Sequence, residues 1–398
     1  MPQQIVQRRS RGFICVNAHP EGCRGNVERQ IAAIRSHAQP QRTGLNSALI
    51  IGSSTGYGLA SRIAAAWGFG AKTLGVCLER EPDGNKTASA GFYNAAAFHD
   101  FARKDDLFAK TINADAFSDD AKRRVAEIAR KEIGKIDLII YSVAAPKRTD
   151  PKSGKAHSSI LKPVGCAYTN KTVDLDSEKV TEITIPPASE AEIADTVTVM
   201  GGEDWKMWLD MLAAENLLAE NARTLAYSYI GPEITWPIYR DGTIGAAKKH
   251  LEQTAHVLDE MLDDQLGGEA RIAVNKAIVT QASAAIPVVP LYMSILFRVM
   301  KQKNLDEGAL EQMRRLFLDF LAEGSVPKFD EAGRIRLDDR EMRADVQKEV
   351  AALWPNVTTE NLRGVTDFAG FQHEFRTLFG FEVEDVDYSA PVETQLSW

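Results

Sequence analysis

The sequence predicts an α/β protein built on a doubly wound parallel sheet, and three observations support this prediction. Apolar runs alternate with helical patterns from residue 48 onward, which is the rhythm of linked β-α-β units. A glycine-rich turn at 52–58 separates the first apolar run from the first helical pattern. Polar or small residues follow several of the runs, where the carboxyl ends of parallel strands meet. Open α/β sheets bind their ligands at that edge, so these residues form the candidate site.

Length and composition place the chain among ordinary globular proteins. It has 398 residues, 44% of them apolar and 26% charged, which is enough for a large core and more than one domain. The formal net charge is −8 and the sequence contains no basic block, so we do not expect a nucleic-acid partner. The four cysteines form no C-x-x-C pair and no Cys/His spacing suits zinc. We therefore expect reduced thiols and no metal site.

The sequence also bears on location. The first eleven residues are polar and lack the apolar run of a signal peptide. Residues 277–297 carry no ionised side chain, but Gln281 and Ser283 interrupt the run, and Pro287 and Pro290 would break a spanning helix. We expect a cytoplasmic protein without stable membrane insertion.

The glycine turn predicts a phosphate-binding loop. It reads G-S-S-T-G-Y-G at 52–58, between the apolar run 48–51 and a helical pattern over 59–67. A tight turn needs glycine where φ is positive, and a pyrophosphate needs bare backbone close by. The amides that open the next helix then face the phosphates. The G-x-x-x-G-x-G spacing is typical of Rossmann-like folds of the short-chain dehydrogenase type, although a plain strand-to-helix turn also uses such glycines.

The next three strands end in residues suited to a dinucleotide. The strand over 73–78 leads to Glu79, about twenty residues past the last glycine, where an acidic side chain bonds the adenosine ribose of NADH. Arg80 beside it is able to hold a 2′-phosphate, so NADPH stays open. The strand over 110–116 contains Asp115, which either bonds the adenine amine or caps the following helix. The strand over 136–142 is followed by small residues that let a ribose approach.

Three segments divide the predicted architecture. Residues 1–40 form an N-terminal arm that covers the sheet along an edge, with a short helix over 30–38. Residues 41–285 form the dinucleotide-binding and catalytic core, with further strands over 223–231 and 271–280. Within that core, residues 147–200 break the rhythm with a polar stretch and a hairpin, either as a wall of the substrate site or as packing. Residues 286–398 form a mainly helical C-terminal extension packed on the core.

The candidate chemistry lies on the loop and helix after the fifth strand. Tyr239 and Lys248 are nine residues apart, which would put them on opposite faces of a single helix. Gly242 and the cap candidate Thr243 instead place the helix start after Tyr239. The phenol then lies at the helix N-terminus, and the dipole and Lys248 are expected to make it more acidic. Such a phenol stabilises a developing oxyanion, whereas packing and solvation are the ordinary uses of a Tyr and a Lys.

The opening R-G-F-I-C at 11–15, the glycine turn at 52–58, the Tyr-x8-Lys pair and the length of 398 residues occur together. In this combination the chain resembles the FabV-type enoyl-ACP reductases and the related trans-2-enoyl-CoA reductases, over essentially its whole length. Ordinary short-chain dehydrogenases have a shorter Tyr-to-Lys spacing and a shorter chain. The resemblance implies NADH-dependent reduction of a trans-2-enoyl thioester of CoA or acyl-carrier protein in fatty-acid synthesis.

Carried over position by position, the resemblance implies a set of site residues. Tyr239 is the acid, Lys248 holds the nicotinamide ribose, and Tyr229 contacts the substrate. The other implied contacts are with the cofactor, through Gly52, Ser53, Ser54, Thr55, Gly56, Tyr57, Leu78, Glu79, Asp115, Ala116, Val143, Ala144, Ala277, Ile278 and Val279. The C-terminal part of the family has been likened to flavin-binding domains, but residues 290–398 show no second dinucleotide fingerprint. We therefore predict no flavin, and we expect a monomer.

Two other functions are compatible with the residues. An NAD(P)H-dependent carbonyl reductase would use the same Tyr239 and Lys248 on ketones or aldehydes. A non-catalytic NADH sensor would keep the cofactor site but would tolerate loss of the Tyr239 hydroxyl.

Overall fold

The apolar runs pair into one parallel sheet in the computed structural model, which describes residues 3–11, 14–37, 44–325 and 328–398. Among these residues the sheet has seven strands, all of them parallel. They are β1 (Ser47–Ile51), β2 (Lys72–Cys77), β3 (Ala109–Asn113), β4 (Ile136–Tyr141), β5 (Leu218–Ser228), β6 (Glu269–Val274) and β7 (Ile335–Arg336). Their order across the sheet is 3-2-1-4-5-6-7, with the topological switch between β1 and β4. The predicted Rossmann-like, doubly wound class is confirmed.

Thirteen α-helices lie within the described ranges. They are α1 (Pro20–Arg35), α2 (Gly56–Phe69), α3 (Ala90–Lys104), α4 (Asp119–Ile128), α5 (Glu190–Met200), α6 (Glu203–Ala214), α7 (Thr243–Leu266), α8 (Gln281–Ala284), α9 (Val289–Gln302), α10 (Ala309–Arg315), α11 (Ala344–Leu353), α12 (Leu362–Val365) and α13 (Phe368–Thr377). Wider π-helical turns at Ala129–Ile133 and Leu316–Leu321 extend α4 and α10. In the part of the chain that is described, no helix combines the length and the apolar character needed to cross a bilayer.

Alternate residues of the central strands pack on opposite helix layers, as the pleat of a sheet requires. Ile50 of β1 lies in a buried cluster with side chains of α1, α2, α3 and α10. Leu49 and Ile51 lie in a second cluster, with side chains of α4, α6 and α7. Helices α9 and α13 form a third cluster with the N-terminal arm and the insertion. The sheet is therefore buried on both faces, and its carboxyl edge remains to hold a ligand.

The N-terminal arm lies on helices. Helix α1 packs against α2 and α3, so the expected cover along an edge of the sheet is wrong, because the apolar stripe of α1 meets that helix layer. The extended residues Gln3–Gln4 pair with Val392–Glu393 and so join the two ends of the chain. Residues 12, 13 and 38 of the predicted opening motif and helix lie outside the described residues.

The insertion at 147–200 contains the predicted hairpin and two further elements. Tyr168–Val173 pairs with Val180–Ile185 in antiparallel register, and a smaller hairpin pairs Lys147–Thr149 with Ala156–Ser158. Helix α5 closes the insertion and packs on α7. The alternating apolar pattern therefore predicted the main hairpin correctly.

The C-terminal extension is partly built into the sheet. Strand β7 pairs with β6, and α10 contributes Leu310 and Met313 to the core around α2. Within the segment predicted as a mainly helical extension packed on the core, β7 is a strand that the sequence did not indicate. A two-residue strand between charged residues has no periodic signal from which to predict it.

Candidate active site

The glycine turn brings β1, β4 and α2 into close contact. Gly52 has φ +89°, and a Cβ added there would lie 2.2 Å from the carbonyl oxygen of Ser142. A Cβ on Gly58 would lie 1.8 Å from the carbonyl oxygen of Gly52. Thr55 is the N-cap of α2, and its side chain makes no capping bond within the described residues. The turn thus offers bare backbone and helix amides to a pyrophosphate, which fits a dinucleotide.

Glu79 is held in a fixed orientation at the end of β2. Ser54 Oγ donates a hydrogen bond to one carboxylate oxygen at 2.5 Å, and Ser89 Oγ donates to the other at 2.5 Å. The Glu79 amide donates to Asn113 Oδ1 at 2.8 Å. The guanidinium of Arg80 instead donates to two backbone carbonyls, each at 3.3 Å. Glu79 therefore stands beside the glycine turn, where an acidic residue favours a free ribose hydroxyl over a 2′-phosphate.

Asp115 closes a turn at the end of β3. Its Oδ1 accepts the Phe117 amide at 3.0 Å, and Ser118 is the residue that caps α4 through the Ala121 amide at 3.1 Å. Of the two roles predicted for Asp115, helix capping is therefore wrong. The carbonyl oxygen of Ala116, the next residue, accepts from a buried lysine at 3.2 Å.

Four other predicted cofactor residues surround this edge. Leu78 is 71% exposed at the end of β2, so its side chain is free to cover a ligand. Val143 is half-buried and Ala144 exposed just after β4. A Cβ on Gly56 would lie 4.0 Å from Ile278 Cδ1. Ile278, in the segment after β6, therefore faces the glycine turn.

The predicted Tyr239 and Lys248 lie on either side of the start of α7. Helix α7 begins at Thr243 with Gly242 as its N-cap, so Tyr239 lies before the helix and Lys248 lies in its second turn. Tyr229 directly follows β5, and its ring packs edge-to-face on Tyr239 with centroids 4.9 Å apart. Lys248 Nζ donates to the carbonyl oxygen of Tyr227 at 3.0 Å.

The expected acidity of the Tyr239 phenol is wrong. Burial raises the pKa of Tyr239, and the nearby Glu341 carboxylate raises it further. Burial also lowers the pKa of Lys248 to about 8. The desolvation of both groups outweighs the helix dipole on which the prediction relied. Tyr239 is therefore a hydrogen-bond donor that keeps its proton, and it is not an acidified phenol.

The insertion borders the loop that carries Tyr239. The Lys162 amide donates to Thr243 Oγ1 at 3.2 Å, and the Tyr168 hydroxyl donates to the Ile234 carbonyl at 2.5 Å. Tyr239 and Ile234 pack on the same apolar cluster as the hairpin. Helix α9 contributes four apolar side chains that are fully buried in that cluster, Leu291, Met293, Ile295 and Leu296.

Two polar residues of the C-terminal extension reach this site and were not predicted. Gln312 Nε2 donates to the Tyr57 hydroxyl at 2.7 Å, and that hydroxyl donates to the Lys276 carbonyl at 2.6 Å. The Tyr57 phenol therefore ties the glycine turn to α10, which leaves its backbone as the part available to a cofactor. Glu341 accepts from the Tyr229 hydroxyl at 3.0 Å. A single Gln or Glu in a polar stretch carries no sequence signal for such a contact.

The described residues also bear on metal and flavin binding. Within the described ranges, no group of three His, Cys, Asp or Glu residues could hold a metal ion, and all four cysteines are free thiols. Residues 329–392 consist of β7, short helices and buried aromatic side chains such as Phe368 and Phe371. They contain no strand, glycine turn and helix in succession, so they do not fit a second dinucleotide.

Three family models match successive parts of the chain. The model for the NAD(P)H binding domain of trans-2-enoyl-CoA reductase matches residues 5–84, and the model for the catalytic region of that enzyme matches residues 86–321. A third, described as an enoyl reductase FAD binding domain, matches residues 329–392.

Named relatives resemble the chain over nearly its full length. An enoyl-[acyl-carrier-protein] reductase [NADH] of Opitutus terrae is 53% identical, with 98% of this chain and 99% of the relative covered. A trans-2-enoyl-CoA reductase [NADH] of Ruminiclostridium cellulolyticum is 51% identical, with 99% and 98% covered. The crystal structure of Treponema denticola trans-2-enoyl-CoA reductase in complex with NAD has a TM-score of 0.95 at 47% identity, with 99% of each chain covered.

Proposed function

This chain belongs to the trans-2-enoyl-CoA reductase family, and we propose that it uses NADH to reduce the C2–C3 double bond of trans-2-enoyl thioesters in fatty-acid synthesis. One observation carries the proposal most strongly. Tyr239 and Lys248 flank the start of α7, at the same sheet edge where Ile278 faces the glycine turn. A hydrogen-bond donor, a cation and a dinucleotide cradle thus converge on one edge.

We assign the cofactor half of the site to the residues that the sequence predicted for it. The backbone from Gly52 to Tyr57 would hold the pyrophosphate at the N-terminus of α2, and Glu79 would bond the ribose hydroxyls of the adenosine. Asp115, Ala116, Val143 and Ala144 would line the adenosine, together with Leu78. Lys248 and residues 277–279, which belong to the substrate half, would hold the nicotinamide end.

The proposed chemistry gives each residue of the substrate half a task. NADH, held by the cofactor half, would supply the hydride that adds to C3 of the enoyl thioester. As negative charge collects on the thioester oxygen, the Tyr239 hydroxyl donates a hydrogen bond to that oxygen and stabilises it. Burial keeps the phenol protonated, so the donor is present throughout the usual pH range. Lys248 would hold the nicotinamide ribose, and a proton taken up from water at C2 completes the saturated product.

Substrate carrier, assembly and location follow as narrower proposals. We propose that thioesters of either CoA or acyl-carrier protein are accepted, that the chain acts as a monomer, and that it works in the cytoplasm. The absence of a flavin role is likewise a proposal, supported by the poor fit of residues 329–392 to a dinucleotide.

The decisive experiment is to follow NADH oxidation by the purified protein with crotonyl-CoA and with a longer enoyl thioester. We expect rapid oxidation of NADH, and much slower oxidation of NADPH because of Glu79. NADH binding without turnover of either thioester would contradict the proposal. Turnover of ketones or aldehydes alone would favour the carbonyl reductase, and binding without any turnover would favour the sensor.

A further inference from the structure

Glu341 is a buried carboxylate directly behind the candidate site. It is 0% exposed. Its Oε1 accepts hydrogen bonds from the hydroxyls of Tyr229 at 3.0 Å and Tyr292 at 2.6 Å. Its Oε2 accepts the Ala277 amide at 2.8 Å. Both carboxylate oxygens are thus used, so this buried acid is satisfied by neutral donors.

Two of these three donors belong to the walls of the site. Tyr229 packs its ring edge-to-face on Tyr239, at 83° between the ring planes. Ala277 begins the segment whose next residue, Ile278, lies opposite Gly56 of the glycine turn. One carboxylate therefore connects the ring that packs on Tyr239 to the segment that faces the glycine turn.

The segment that carries Glu341 is itself anchored. The amides of Leu337 and Asp338 donate to the Val274 carbonyl at the end of β6, at 2.8 and 3.1 Å. The side chain of Gln347 donates to the Glu341 carbonyl at 2.7 Å. The carboxylate is therefore held from both sides along the chain, as a rigid support for other groups requires.

An apolar side chain would not replace this carboxylate. It would fill the same space but leave two phenols and one backbone amide without their acceptor, which is unfavourable for buried polar groups. Burial raises the pKa of Glu341, so the position is costly for a charge and a simple packing role does not account for it.

We propose that Glu341 is a positioning residue of the active site, which holds the Tyr229 ring against Tyr239 and fixes the Ala277 amide beside the nicotinamide. The inference rests on the proposed function, because it takes Tyr239 as the group that acts on the thioester. Glu341 touches neither substrate nor cofactor in this role. It acts by limiting the motion of two groups that do, and small displacements of such groups have large effects on rate.

The test is Glu341→Gln, which keeps the size of the side chain but has only one acceptor oxygen. If that oxygen faces the phenols, the amide nitrogen opposes the Ala277 N–H; if it faces Ala277, the phenols lose their acceptor. We expect kcat to fall about 10-fold while the KM for the enoyl thioester and the Kd for NADH change less than about 2-fold.

Asp259→Asn is the matched control. Asp259 is also a carboxylate that accepts a backbone amide, that of Ala270 at the start of β6 at 2.9 Å, whereas Ala277 follows the end of that strand. We expect this variant to lower the unfolding temperature and to leave kcat unchanged. A fall in kcat for Glu341→Gln that matches the one for Asp259→Asn would reduce Glu341 to a stability role and overturn the proposal.

A double-mutant comparison identifies the route of the effect. If Glu341 acts through Tyr229, the combined Glu341→Gln and Tyr229→Phe variant will lose less kcat than the product of the two single losses. Fully multiplicative losses, or wild-type kcat in Glu341→Gln, would contradict the positioning role. Failure of the proposed function would show separately, as a wild-type protein that does not oxidise NADH with any enoyl thioester.

Discussion

The cofactor half of the site, residues 52–144, and the substrate half, residues 229–279 with Glu341, are held by different contacts. In the cofactor half, Glu79 bonds Ser54 and Ser89, which lie 25 and 10 residues away along the chain. In the substrate half, Glu341 bonds Tyr229 and Ala277, which lie 112 and 64 residues away. The Glu79 carboxylate is thus held by contacts within the first half, whereas the Glu341 carboxylate joins segments that are distant along the chain.

The two halves also differ in what they tolerate. Glycine backbone at Gly52 and Gly58 leaves no room for a Cβ, so the cofactor half is sterically strict. The substrate half depends on the placement of polar atoms, and a substitution that removes a single hydroxyl or carboxylate oxygen is enough to disturb it. Substitutions should therefore separate cofactor binding from turnover, which four predictions test from the largest effect to the smallest.

Tyr239→Phe should have the largest effect on turnover, and it should leave cofactor binding unchanged. Loss of the donor to the thioester oxygen should lower kcat by about 10²–10⁴-fold, while NADH affinity stays near the wild-type value. Steady-state NADH oxidation and NADH fluorescence titration measure the two. Tyr388→Phe, which removes another half-buried hydroxyl, is the control. Equal loss of NADH affinity in Tyr239→Phe would show that the halves are not separable.

Gly52→Ala should break the cofactor half by steric conflict. Strain at positive φ and the clash with the Ser142 carbonyl should together cost about 3 kcal/mol of unfolding free energy and weaken NADH binding. Gly70→Ala is the matched control, since Gly70 has φ +67° but nothing within 4 Å of an added Cβ. It should cost only about 1 kcal/mol. Urea unfolding measures both, and equal losses would argue against the close approach.

Glu79→Gln should change cofactor preference without changing the substrate half. Removal of the charge lifts the repulsion of a 2′-phosphate and weakens the bond to the ribose. The ratio of kcat/KM for NADH to that for NADPH should fall about 10-fold. Glu81→Gln, at an exposed acid two residues further on, should leave the ratio unchanged. An unchanged ratio in Glu79→Gln would assign the preference to another residue.

Lys248 should produce the smallest effect, which is a pH dependence of kcat/KM for NADH. Burial lowers its pKa from 10.5 to about 8, so its charge is present below pH 8 and lost above it. We expect kcat/KM for NADH to fall several-fold as the pH rises through about 8. This decrease should be absent from the pH profile of Lys248→Met. The unfolded chain keeps this proton to higher pH, so this group makes unfolding free energy rise between pH 8 and 10.5. A decrease that persists in Lys248→Met would belong to another group.

The features that the sequence predicted correctly are those that depend on residues close together along the chain. The strand-turn-helix at 52–58, the position of Glu79 and the helix start after Tyr239 all follow from local patterns, and the structure places them as expected. Strand β7, the bond from Gln312 to Tyr57 and the role of Glu341 depend on segments that meet only after folding. The pKa of Tyr239 was mispredicted for the same reason, because burial by distant residues decides it.

The remoteness of Glu341 has a consequence for the order of biosynthesis. A ribosome releases the chain from its amino terminus, so residue 144 of the cofactor half emerges long before Glu341. At about 5–20 residues per second, the intervening 200 or so residues take roughly 10–40 s to translate. Tyr229 and Ala277 are made within that interval, and they lack their shared acceptor until Glu341 emerges. The support that joins these two segments is therefore among the last parts of the site to be synthesised.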